Sequence, residues 1–232
     1  TEYHALYGMD DGEALFQQEY WCSFDAALVG SYYGRLIREA EEQRRVAAVA
    51  PEPTIGVVTA WDLGMDDSTA IWCAQIVGRE IRLIDYYEAS GQGLEHYAKW
   101  LMSRPYVYQE HLLPHDAQVR ELGTGRSRLE VLHSLGLRSA RVVPSQTLAD
   151  GINAVRAILP RCWFDREKTE KGLEALRMYR REYDEERKVY SDRPLHDWTS
   201  HAADAFRYLA LGLDDRPEER KTAAKPKNLR VC

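Results

Sequence analysis

The chain has 232 residues, with 37 Asp and Glu against 31 Lys and Arg and a formal net charge of −6. At 44% hydrophobic and 29% charged it has a globular composition, with room for one sizeable α/β domain plus an appendage, or for two small domains. The acidic balance excludes a domain that holds nucleic acid by bulk charge alone, and no run of about 18 apolar residues is present to span a membrane.

No basic-then-apolar start marks a signal peptide, and an opening on Thr1 instead of Met points to a piece of a longer protein. Cys22, Cys73, Cys162 and Cys232 are too far apart for a CxxC metal clip and read as reduced thiols. The aromatic-rich stretch Phe16–Phe24 suits a short buried strand or a plug between elements. Residues 32–49 have helical spacing, with Leu36, Ile37 and Ala40 on one face, and Pro51-Glu52-Pro53 ends that unit.

Three β-branched, apolar segments follow at short intervals. They cover 55–62, ending in Asp62, then 69–77, then 80–87, with turn chemistry at 63–67 and at Gly78-Arg79. This is the pattern of an antiparallel meander. Beyond Gly91-Gln92-Gly93 the rhythm changes to helix (94–101), strand (110–116, ending in Asp116), helix (128–135), strand (140–143) and helix (148–159, stopped by Pro160). The predicted class is therefore α/β, a mixed sheet with a three-strand antiparallel meander followed by parallel strands with crossover helices, flanked by helices. Residues 169–187 read as a charged helix. Residues 200–213 read as an amphipathic one carrying Ala203, Phe206, Leu209, Ala210 and Leu213 on its apolar face. The stretch 214–232 is charged, nearly free of apolar residues and expected to be disordered.

Three aspartates stand out by position. Asp62 and Asp116 end two strands that share a rim if they are neighbours, and Asp204 interrupts an apolar helix face, where a carboxylate is costly without a partner. Carboxylates brought together repel and take up protons unless a cation sits between them, and Mg²⁺ or Mn²⁺ accepts such hard oxygen ligands. Two such ions support phosphodiester hydrolysis. Arg120, Arg126 and Arg128, around the Leu122-Gly123-Thr124-Gly125 segment, are candidates to meet phosphate. Each feature also has an ordinary reading: strand-end Asp residues form turns, Asp67 is a loop residue, Asp204 can pair with Arg207, and His196 and Asp197 can cap the last helix. His201 lies one helical turn before Asp204 on the same face.

The segments Ala60-Trp-Asp-Leu-Gly64, Asp67-Ser-Thr-Ala70, Leu113-Pro-His-Asp-Ala117 and Ser200-His-Ala-Ala-Asp-Ala-Phe-Arg-Tyr208 carry a resemblance. Residues 54–213 resemble the nuclease domain of large terminase subunits, the DNA-packaging motor proteins of tailed bacteriophages, and the last segment is the most specific of the four. The resemblance implies an RNase H-like fold and two-metal endonucleolytic cutting of double-stranded concatemeric DNA. It makes Asp62, Asp116 and Asp204 the metal-binding catalytic acids, with His201 as an accessory residue near the metals; Asp197 and Asp67 are further accessory candidates by their own position in the sequence. It also implies two divalent cations (Mg or Mn), the portal protein and small terminase subunit as partners, and the host cytoplasm as location. Residues 1–53 then form a linker segment resembling the end of the preceding ATPase domain, and 214–232 a charged tail. No GxxxxGK[ST] loop is present, so no ATP site is expected in this chain. The same acids would serve a resolvase or strand-transfer enzyme acting on branched DNA, and a non-catalytic docking module of the motor would use them only structurally.

Overall fold

A computed structural model describes residues 30–64, 68–184, 187 and 189–215. In chain order, α1 (Gly34–Glu42) and β1 (Val46–Ala47) precede the meander of β2 (Val57–Asp62), β3 (Ser68–Val77) and β4 (Glu80–Ser90). Then come α2 (Leu94–Met102), β5 (Tyr108–Leu113), α3 (Arg128–Ser134), β6 (Ala140–Val142), α4 (Leu148–Ile158), β7 (Cys162–Asp165) and α5 (Glu170–Met178). A hairpin of β8 (Arg181–Asp184) and β9 (Val189–Pro194) leads into α6 (Ser200–Asp214).

Seven strands form one sheet in the order β1-β7-β4-β3-β2-β5-β6. The β2–β3 and β3–β4 pairs are antiparallel, and β5 runs parallel beside β2 with β6 parallel beside β5. The meander arises because Gly78, at φ +61°, closes a turn too tight for a β-branched residue. The later strands are parallel because each is separated from its neighbour by a crossover helix. Both faces are covered. Val58, Ala60, Ala70 and Trp72 pack against Ile37 of α1, Val155 of α4, Leu173 of α5 and Phe206 of α6. Trp61, Ile71 and Cys73 on the other face meet Tyr97 and Leu101 of α2 and Leu132 of α3. That double cover explains why the meander strands read as nearly continuous apolar runs.

Several local expectations are revised. The helix expected over 32–49 stops at Glu42. Arg44 takes a left-handed conformation (φ +57°), and the chain leaves as β1 because the Arg45 guanidinium is drawn inside, where it donates to the carbonyls of Leu159 and Cys162. β1 pairs in parallel with β7, so the sheet and its core run across the Pro51–Pro53 break, and residue 53 does not divide two cores. β7 itself, Cys-Trp-Phe-Asp, is too short to show a period, and no sequence signal marks it. The helix expected over 169–187 ends at Met178. There the Tyr179 ring stacks on Tyr33, its carbonyl accepts from Tyr32 N–H, and the following residues pair as the β8–β9 hairpin. Phe16–Phe24 and 216–232 lie outside the described residues.

Candidate active site

Parallel pairing of β2 with β5 brings the C-terminal ends of both strands to one rim. Asp62 is the last residue of β2 and shares its face with Val58 and Ala60, so it points to the layer that holds α6. Asp116 is not at a strand end. β5 stops at Leu113, Pro114 cannot extend the ladder, and Asp116 follows on a 3₁₀ turn over His115–Gln118, one step beyond the same rim. Helix α6 is fixed along this face by the buried Trp72 indole, which donates to the Ala202 carbonyl at 2.9 Å. Farther along, Gly212 lets the helix close on Leu112, because an added Cβ there would lie 2.5 Å from that side chain. This placement sets His201 Nδ1 3.1 Å from Asp62 Oδ2.

The electrostatics couple the three aspartates to Tyr208. Burial pushes the Asp204 carboxyl up to about 6; Arg207 opposes the shift, and the Asp62 charge adds to it. Burial likewise pushes the Tyr208 hydroxyl up to about 12, and after the opposing Arg207 charge the carboxylates of Asp62, Asp204 and Asp116 all raise it further. Tyr208 therefore lies within the field of all three acids.

Each acid also meets a basic side chain. Asp204 Oδ1 accepts from Arg207 Nη2 at 2.7 Å, and Asp62 has His201. Arg128 donates to the Leu63 carbonyl at 3.2 Å and reaches Asp116 Oδ2 at 3.5 Å, so it braces the end of β2 against the 3₁₀ turn. Its side chain is only 17% exposed, which makes it a strut and not a free arm for DNA. Arg120 and Arg126 are exposed on the loop before α3, where they contact Glu130. That loop is held by the capping box of Ser127 and Glu130. Asp197 accepts from the Thr199 N–H and hydroxyl at 2.9 and 2.6 Å, an Asx-type turn that leads into α6. Asp67 lies outside the described residues.

The whole chain was compared with known proteins. No protein-family model and no curated protein matches it. Solved structures do. The large terminase of a thermophilic bacteriophage aligns at a TM-score of 0.57 and 17% identity, covering 75% of this chain and 44% of that one. The nuclease domain of the P22 large terminase aligns at 0.55 and 16%, covering 74% and 89%. That of bacteriophage SPP1, solved with bound Mn, aligns at 0.52 and 16%, covering 68% and 86%. The fold is that of the large-terminase nuclease domain. It is RNase H-like, as the motifs implied, and the chain spans under half the length of the thermophilic phage's large terminase.

Whether this rim suits divalent ions can be judged from its own donors. Among the described residues, no three or more His, Cys, Asp or Glu side chains already stand around one point at ligand distance. The donor chemistry nevertheless fits: the Asp62 charge raises the proton affinity of Asp204, and a divalent cation between the two carboxylates relieves that repulsion.

Sequence reasoning passed over two residues beside this rim. Tyr208 was one letter of a motif, although its i+4 spacing from Asp204 could have flagged it. Glu88 was hidden in the alternation of β4. The register aligns Asp62 with Ala70 and Ala70 with Glu88, on one face, and the Glu88 carboxylate is buried beneath Lys171 at 3.4 Å and the Tyr86 hydroxyl at 2.6 Å.

Proposed function

We propose that this chain is the nuclease domain of a large terminase subunit, a divalent-metal-dependent endonuclease that cleaves double-stranded concatemeric viral DNA during genome packaging. The observation that carries the reading is the parallel pairing of β2 with β5, which brings Asp62 and the turn bearing Asp116 to one rim beside α6, where His201 reaches Asp62, on this fold. Asp62, Asp116 and Asp204 would hold two ions, Mg²⁺ or Mn²⁺; when bound, such ions supply an activated water and stabilise the leaving oxygen of a phosphodiester. The bound Mn in the SPP1 nuclease domain supports that choice of cation. His201 orients Asp62 through Nδ1, and Arg128 holds the two strand ends in register. Arg120 and Arg126 would meet phosphates of the duplex.

By the same reading, residues 1–53 include the connection from an ATPase domain, with the segment past α6 extending toward the portal protein, the small terminase subunit completing the motor, and the host cytoplasm as the site of action. ATP hydrolysis and translocation would belong to the rest of that motor. The test is nicking or linearisation of plasmid DNA with Mn²⁺ or Mg²⁺. Loss of cutting in Asp62→Ala, Asp116→Ala and Asp204→Ala is expected, whereas cutting that survives all three changes, or proceeds in excess EDTA, would refute the assignment. A clear preference for branched over linear duplex in the same assay would move the chain to a resolvase role.

A further inference from the structure

Arg207 is the least ordinary charge near the site. Salt bridges at i,i+3 on a helix normally stabilise it from the solvent side. This one is turned inward: the Arg207 side chain is 17% exposed and its Asp204 partner 31%. Its stem lies across α4, where Gly151 makes room; a Cβ at residue 151 would come within 3.1 Å of Arg207 Cδ. Tyr179 and Tyr33 lie in its field on the other side. Among the described residues, only two buried side-chain polar atoms have no hydrogen-bond partner, Arg207 Nε and Tyr33 Oη, and both are in this wall. A buried guanidinium with an unmet donor is a poor way to anchor a helix, since burying an ion pair with apolar substitutes available is seldom stabilising.

The geometry gives it another use. Arg207 Nη2 occupies Asp204 Oδ1 and is too confined to follow a rotating carboxylate. The remaining oxygen, Oδ2, is then the one left for a shared cation. We infer that Arg207 is a positioning residue that pins Asp204 as a one-oxygen ligand for a divalent cation. This rests on the nuclease reading above. It adds that Asp204 cannot chelate with both oxygens, and that the wall formed by Gly151, Tyr33 and Tyr179 sets the affinity of the site.

The test is calorimetric titration of the metal-free chain with Mn²⁺, with thermal melting in EDTA alongside. Arg207→Met should weaken Mn²⁺ binding about tenfold or more, the usual scale for a residue that orients a metal ligand, and Arg207→Lys should recover part of the loss. Gly151→Ala gives a variant that does not touch the charge. The gain in helix propensity offsets the pressure of the new Cβ on the flexible Arg207 stem at 3.1 Å, so a folded protein with weaker Mn²⁺ binding is expected. If Arg207→Met does not fold, Gly151→Ala carries the test. Binding that is unchanged or tighter in folded variants would overturn the inference while leaving the nuclease reading standing. No Mn²⁺ binding by the parent chain would overturn that reading, and this inference with it.

Discussion

Replacing Asp204 with Asn should alter how stability depends on pH in the metal-free protein, and the size follows from two buried groups. Burial holds the Asp204 carboxyl at about 6 against its usual 3.8, so between those values the folded chain binds a proton that the unfolded chain has released. Stability from this group is greatest below about 4 and is lost as pH rises toward about 6. His111 does the reverse. It is enclosed on the other face, its Nδ1 2.7 Å from the Thr59 hydroxyl, and burial lowers it from 6.5 to about 4. There the unfolded chain binds the extra proton, and stability rises with pH over nearly the same window. Each slope is about 1.4 kcal/mol per pH unit, and in the parent they oppose one another. Asp204→Asn removes one of them. Relative to the parent, the variant should gain about 1.1 kcal/mol of stability between about pH 4.5 and about pH 5.5, the full slope scaled by the difference in proton occupancy. Urea unfolding in EDTA at those two values measures it, with the remaining carboxylates cancelling in the comparison. A parent–variant difference that is the same at both pH values would refute the burial and charge coupling assigned to Asp204.

Lowering the pH from about 7 to about 5 should weaken Mn²⁺ binding about tenfold, because the ionised fraction of a carboxyl near 6 falls from about nine tenths to about one tenth. Calorimetry at the two pH values measures it, and a pH-independent affinity would contradict Asp204 as a ligand. Arg128→Met should slow plasmid nicking at saturating Mn²⁺ while costing only about 1 kcal/mol in urea unfolding, since it removes a brace and not core packing. Tyr208→Phe should fold normally yet cut more slowly, and an unchanged rate would place the hydroxyl outside the chemistry. Gly172→Ala should destabilise by about 1–3 kcal/mol through overpacking. Its Cβ would lie 2.6 Å from the Trp72 ring and 2.8 Å from Tyr86, and a denaturation midpoint equal to the parent's would show that α5 can move.

The sequence by itself determined the elements whose signals are local. The meander was legible because its strands are unbroken β-branched runs separated by turn residues, and α6 because its apolar face repeats over 15 residues. Asp62 and Asp204 were legible as charges placed against those patterns. What is set by distant contacts was not legible. Val46–Ala47 and Cys162–Asp165 are too short to carry a period, and they become strands only because each lies in the other's ladder. Residues 169–187 read as one charged helix, but the chain leaves it at Tyr179 and residues 181–184 pair with 189–194 as a hairpin. The same holds at the rim. No spacing in the sequence says that β5 lies beside β2, that Arg128 is a brace, or that Arg207 is turned inward against Gly151, because these depend on which strands pair and which helix faces touch. Tertiary packing decided them, and it alone carried Asp62 and the turn bearing Asp116 to one rim beside α6.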